Sequence, residues 1–120
     1  MNVVLIEDNS DLQKMYAEGL GLRGIQVSIA ADYTTALAHI KQAEPDVILL
    51  DLLMPKINGL DMLRILKADN RAKDIPIIVL TNLDDERMQH SALELGAATF
   101  VIKADITLDR LVEVIKSTLS

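Results

Sequence analysis

The chain has 120 residues, half of them hydrophobic and a quarter charged, which fits one compact domain over 1–120 and leaves no room for a second. It contains no cysteine, so a disulfide framework, a thiolate metal centre and a cysteine nucleophile are excluded. Twelve basic against eighteen acidic residues give a formal charge of −6, the wrong sign for direct binding to nucleic acid or an anionic membrane surface.

No apolar run approaches the ~20 residues of a membrane span. Met1 leads into a strand-like segment instead of a basic and apolar leader, so the expected location is the cytoplasm. The aromatic residues are Tyr16, Tyr33 and Phe100, too few for a base-stacking platform, and the core must be aliphatic.

Five short apolar runs, Val3–Ile6, Ile25–Ala30, Val47–Leu50, Ile77–Leu80 and Thr99–Ile102, read as strands. The first, third and fourth are continuous Val, Ile and Leu, as expected of strands buried on both faces of a parallel sheet. The second alternates, with Ile25, Val27 and Ile29 set against Gln26, Ser28 and Ala30, which places it at an edge.

Segments of helical period separate the runs. Ser10 with Gln13 reads as a capping box ahead of an inward stripe of Leu12, Met15, Tyr16 and Leu20, with Gly19 and Gly21 weakening the last turn. Asp32 caps a second helix carrying Ala36, Leu37 and Ile40, which must end before Pro45 because a proline pushes its predecessor out of the α region. Asn58 and Gly59 open a third, with Leu60, Leu63 and Leu66 inward. Asp84 is the expected cap of a fourth, with Met88, Ala92 and Leu95, stopping at Gly96. Thr107 caps the fifth, whose stripe is Leu108, Leu111, Val112, Ile115 and Leu119. His39 and His90 lack partners at metal-ligand spacing and read as surface residues. Strand and helix alternate five times, which demands a doubly wound, flavodoxin-like α/β sandwich with parallel strand order 2-1-3-4-5.

Four strands end in an abrupt polar residue: Glu7 and Asp8 after the first, Asp51 after the third, Thr81 after the fourth and Lys103 after the fifth. In a parallel sheet these share the carboxyl edge, where open α/β sheets bind ligands. Three carboxylates at one place repel one another and imply a hard divalent cation, for which Mg2+ with oxygen ligands is the natural choice. Removing Asp8 or Asp51 is then expected to stabilise the metal-free protein. A lysine and a hydroxyl beside the ion would hold phosphoryl oxygens, and the central Asp51 is the expected nucleophile.

These residues resemble the receiver domain of two-component response regulators, over Val3 to about Leu119. The most specific segment is Asp51-Leu-Leu-Met54-Pro55-Lys-Ile-Asn-Gly59, similar to the family's phosphoacceptor segment. Glu7-Asp8-Asn9 resembles its acidic metal-binding pair, Thr81 its switch hydroxyl, Lys103 its lysine and Phe100 its switch aromatic.

The resemblance implies that Asp51 takes a phosphoryl group from a histidine kinase, a phosphotransfer protein or a small phosphodonor. Asp8, Asp51 and the backbone carbonyl of Leu53 would bind Mg2+, with Glu7 acting through water. Thr81 and Phe100 would then move and alter the surface of helix four, strand five and helix five. That surface would meet a downstream effector or support a phosphorylation-dependent homodimer. Such a domain is not an enzyme beyond its own phosphorylation and dephosphorylation. The resemblance also sets Leu53 and Leu83 beside the path of hydrolytic water. The chain departs from the family at Ala104, where proline after a cis bond is common, so the Lys103–Ala104 bond is expected to be trans.

Three other readings share parts of this pattern. A flavodoxin would need a phosphate-cradling first loop, whereas Glu7-Asp8-Asn9-Ser10-Asp11 would repel phosphate. A haloacid-dehalogenase-type phosphatase would place a second acid at position 53, which is leucine. A receiver-like scaffold that binds partners without phosphorylation would not require the full residue set. No output module is expected within these residues.

Overall fold

A computed structural model describes residues 1–120. Five parallel strands, β1 (Asn2–Ile6), β2 (Gln26–Ala30), β3 (Val47–Leu50), β4 (Ile77–Thr81) and β5 (Thr99–Ile102), form one sheet in the order β2-β1-β3-β4-β5. The helices are α1 (Ser10–Gly21), α2 (Tyr33–Ala43), α3 (Gly59–Ala68), α4 (Glu86–Glu94) and α5 (Leu108–Thr118). This is the flavodoxin-like arrangement the alternating pattern predicts.

Each continuous apolar run feeds two cores, because successive side chains of a strand point to opposite faces. Val4, Ile6, Ile48, Leu50, Ile77 and Val79 pack under α2, α3 and α4, joined by Ile40, Leu63 and Ala92. Val3, Leu5, Val47, Leu49, Ile78 and Leu80 pack under α1 and α5, joined by Tyr16, Leu20, Leu111 and Ile115. All these strand residues are buried, and at roughly 1.5–3 kcal/mol per fully buried large aliphatic side chain they dominate the favourable side of folding.

The structure changes several local expectations. α1 is capped by Asn9, whose side chain accepts from the Leu12 N–H at 3.0 Å. Ser10 is its first helical residue, and Gln13 donates to the Glu7 carbonyl at 2.6 Å instead of closing a capping box. Likewise α4 is capped by Asp85, which accepts from Arg87 and Met88, while Asp84 accepts from the Gln89 side chain. In both cases adjacent residues were chemically able to cap, and the turn that enters the helix decides which one meets the free N–H groups.

Met15 is 44% exposed and Leu119 41% exposed, outside the cores. The inward face of α1 runs through Tyr16, Gly19 and Leu20, which rotates Met15 to the flank, and Leu119 lies beyond the last turn of α5. Gly19 is an approach point, not a weak spot: a Cβ there would collide with the Leu108 side chain of α5. Met62 is buried on α3, whereas the expected inward Leu60 only packs at the margin. Ile25 precedes β2, and the expected alternation along that run fails at Ala30, which is fully buried under α2. An edge strand of a parallel sheet still carries helices on both faces. Asp32, Asn58 and Thr107 cap α2, α3 and α5 as expected.

Candidate functional site

The strand register sets the site. Ile6 pairs with Leu50, so Glu7 and Asp51 leave the sheet side by side, and the Asp51 N–H still donates to the Ile6 carbonyl at 3.2 Å. Thr81 pairs with Ile102, so Lys103 leaves β5 one residue past Thr81. Residues separated by up to 96 positions thus share one edge.

One carboxylate oxygen from each of Glu7, Asp8 and Asp51 lies within 4.8 Å of the others. Glu7 and Asp51 are buried and Asp8 is exposed. Lys103, its side chain only 7% exposed, donates to Asp51 Oδ2 at 2.9 Å and to Glu7 Oε1. The carboxylates were expected to need a cation between them, and the lysine already bridges two of the three. Burial raises the Glu7 pKa above its ordinary value, against the hydrogen bonds from Lys103 and the Asn9 N–H. For Lys103 burial pulls the pKa down, but the hydrogen bonds to Asp51 and Glu7 outweigh it and the net shift is upward. Both shifts are upward, which favours the charge on the lysine and disfavours it on Glu7, because the lysine has two acceptors whereas Glu7 shares its one cation with Asp51.

Two short turns shape the rim. Asp51 Oδ1 accepts from the Leu53 N–H at 2.9 Å, and Thr81 Oγ1 accepts from the Leu83 N–H at 3.3 Å. Side-chain bonds of this kind hold the first loop residues in place. Gly59 is required beneath the first turn, because a Cβ there would strike the Leu52 backbone. On the lysine side all peptide bonds are trans, Lys103–Asp105 form a single 3-10 turn, and the Ala104 N–H donates to Asn82 Oδ1 at 2.9 Å.

The fold therefore brings Glu7, Asp8, Asp51 and Lys103 together. Thr81 stands fully buried on the neighbouring strand, and Phe100 packs half-buried against the α2–α3–α4 core; neither hydrogen-bonds to Asp51. The Leu53 side chain is 52% exposed at the rim. His90 is exposed beside Glu94, and His39 is half-buried at the edge of α2. One contact escaped the sequence reading: the Tyr33 hydroxyl donates to the Asp51 carbonyl at 2.5 Å. The only hint in the sequence is the phenol itself, which needs a partner when buried.

The donor set suits a hard cation. Three carboxylate oxygens within 4.8 Å of one another are the kind of ligands Mg2+ takes, and Lys103, bound to Glu7 and Asp51, supplies a positive charge beside them for an anion.

Fold and site define a doubly wound α/β domain with an acidic cluster and a buried lysine at the ligand-binding edge of its sheet. The family profile of the response regulator receiver domain matches residues 3–116, and the chain belongs to that family, the receiver domains of two-component signalling. Over 101 residues, 84% of the chain, it is 36% identical to the probable transcriptional regulator ycf27 of Guillardia theta, covering 39% of that protein. Over the same share it is 33% identical to the DNA-binding response regulator MtrA of Mycobacterium tuberculosis, covering 43% of it. The chain thus spans about two-fifths of the length of these relatives. Among solved structures, the BeF3-activated N-terminal receiver domain of Klebsiella pneumoniae RstA superposes with a TM-score of 0.90 at 26% identity, covering 99% of this chain and 98% of that one. No helix is long and apolar enough to cross a membrane.

Proposed function

We propose that this receiver domain accepts a phosphoryl group on Asp51 from the phosphohistidine of a histidine kinase or phosphotransfer protein, or from a small phosphodonor. The observation that carries the reading is the placement of the Asp51 carboxylate between an acidic pair and a buried lysine. In the step, an Asp51 carboxylate oxygen attacks phosphorus and the O–P bond forms as the P–N bond of phosphohistidine breaks, its electron pair leaving with the imidazole. Lys103 donates hydrogen bonds to the incoming phosphoryl oxygens, where negative charge collects. The Thr81 hydroxyl oxygen accepts from Leu83, which leaves its proton free to be donated to a phosphoryl oxygen. Phe100 then repacks as Thr81 moves and alters the surface of α4, β5 and α5.

Asp8, Asp51 and the Leu53 carbonyl would hold Mg2+, with Glu7 acting through water. A divalent cation bound there neutralises phosphoryl charge. The domain catalyses no reaction beyond its own phosphorylation and dephosphorylation. Its setting is the cytoplasm, where the kinase donates and an effector or a second copy reads the α4–β5–α5 face. DNA contact of the kind named for MtrA belongs to an output module, since the −6 charge of this domain opposes it.

Incubation with acetyl phosphate and Mg2+ is expected to add one phosphoryl mass, labile to base, to the parent and none to Asp51→Asn. Equal uptake by the variant would move the acceptor elsewhere.

A further inference from the structure

Asp51 is tied at each of its polar atoms. Its N–H donates to the Ile6 carbonyl, Oδ1 accepts from the Leu53 N–H and Oδ2 accepts from Lys103. These three partners come from the sheet, from its own loop and from the 3-10 turn that follows β5. The fourth tie, at the carbonyl, comes from the Tyr33 hydroxyl on the first residue of α2.

Tyr33 is 4% exposed and lies in the same core cluster as Leu52 and Met54, on either side of the rim loop. Its ring is gripped, and its backbone is anchored by the cap that Asp32 forms on Thr35. The hydroxyl is therefore a fixed donor. A hydrogen bond on the Asp51 carbonyl fixes the plane of the Asp51–Leu52 peptide. That plane sets the direction of the chain into Leu53, whose N–H meets Asp51 Oδ1. From the other side the loop is closed by Gly59, which leaves no room between α3 and the Leu52 backbone. A phenylalanine would fill the same core volume, so packing alone does not account for the hydroxyl.

We infer that Tyr33 is a positioning residue for Asp51, its hydroxyl holding the 51–53 backbone so that the carboxylate and the Leu53 carbonyl face the cation and the phosphodonor together. This inference rests on Asp51 being the phosphoacceptor.

The test uses the full chain with Tyr33→Phe. Mg2+ is titrated against backbone amide resonances, and the labelling rate with acetyl phosphate is read by intact mass at saturating Mg2+. Loss of a residue that orients a ligand typically costs about tenfold, and a loss of that size is expected in both readouts. The Leu53 amide resonance should also move in the metal-free variant, a signal that comes from folded molecules only and is unaffected by partial unfolding. Ala36→Gly, on the same helix and in the same core, serves as the control: it should lower the denaturation midpoint yet leave Mg2+ affinity and labelling within about twofold. The inference is overturned if Tyr33→Phe stays within about twofold of the parent, or if Ala36→Gly reproduces its losses. A parent that takes up no phosphoryl group overturns the phosphoacceptor reading, and the inference with it. A labelled parent beside an unaffected Tyr33→Phe overturns the inference alone.

Discussion

Lys103 on the far edge of the sheet reaches Asp51 at the end of the central strand, Nζ to Oδ2 at 2.9 Å, and through the same nitrogen also binds Glu7. One ammonium thereby joins two buried carboxylates carried by different strands.

Removing the lysine strands both acids. Lys103→Met is expected to lose roughly 3–5 kcal/mol of stability near neutral pH, the usual cost of deleting one partner of a buried ion pair. The lysine pKa lies above its ordinary 10.5 in the folded protein, so its contribution is whole below 10.5 and is lost as pH rises through the folded value. Urea titrations of parent and variant should therefore converge only on the alkaline side. Curves that stay parallel past that range would show that the ion pair contributes nothing.

Glu7 follows the same direction in the acid range. Its pKa is raised from 4.5 chiefly by burial, so its contribution is favourable below 4.5 and is lost as pH rises through the folded value. Glu7→Gln removes that ionisation while Lys103 keeps Asp51. Without metal, the stability of the parent relative to this variant should fall as pH is raised from about 4.5 towards neutrality. A difference that is flat or of opposite slope contradicts the burial argument.

Asp8 and Asp51 should behave differently, which corrects the expectation that removing either carboxylate relieves repulsion. Asp8 is exposed and has no side-chain partner, so Asp8→Ala should change metal-free stability by no more than about 0.5 kcal/mol. Asp51→Ala forfeits the bonds from Leu53 and Lys103 and should destabilise. In the parent Mg2+ is expected to raise the melting temperature by mass action, and Asp8→Ala should lose most of that increment. A full Mg2+ increment in the variant would remove Asp8 from the ligand set.

The lifetime of the aspartyl phosphate is expected to be long. The N–H groups of Leu53 and Leu83 donate to the side chains of Asp51 and Thr81, and neither leucine side chain can orient an attacking water. Decay of purified phosphoprotein after donor removal should accelerate in Leu53→Asn with Leu83→Glu. Equal or slower decay would refute a shielding role for the leucines.

Much of this domain is legible in its linear pattern. Continuous Val/Ile/Leu runs separated by helical segments specify a parallel sheet, since only strands covered on both faces hide such runs. That sheet necessarily delivers Glu7, Asp8, Asp51, Thr81 and Lys103 to one edge, because parallel strands all end on the same side. The register confirms the consequence, with Ile6 beside Leu50 and Thr81 beside Ile102.

What the tertiary structure alone decided are choices between neighbours of equal chemistry and contacts across the chain. Asn9 rather than Ser10, and Asp85 rather than Asp84, cap their helices, because a cap depends on which side chain stands within about 3 Å of free N–H groups once the loop has turned. Met15 faces outward because α1 settles on Gly19 against Leu108. Lys103 bridges Glu7 and Asp51, and Tyr33 holds the Asp51 carbonyl, pairings that span 96, 52 and 18 positions. Hydrophobic period is a local property written in the order of residues. The partner of a given polar atom is settled only when packing brings distant backbones to a few ångströms.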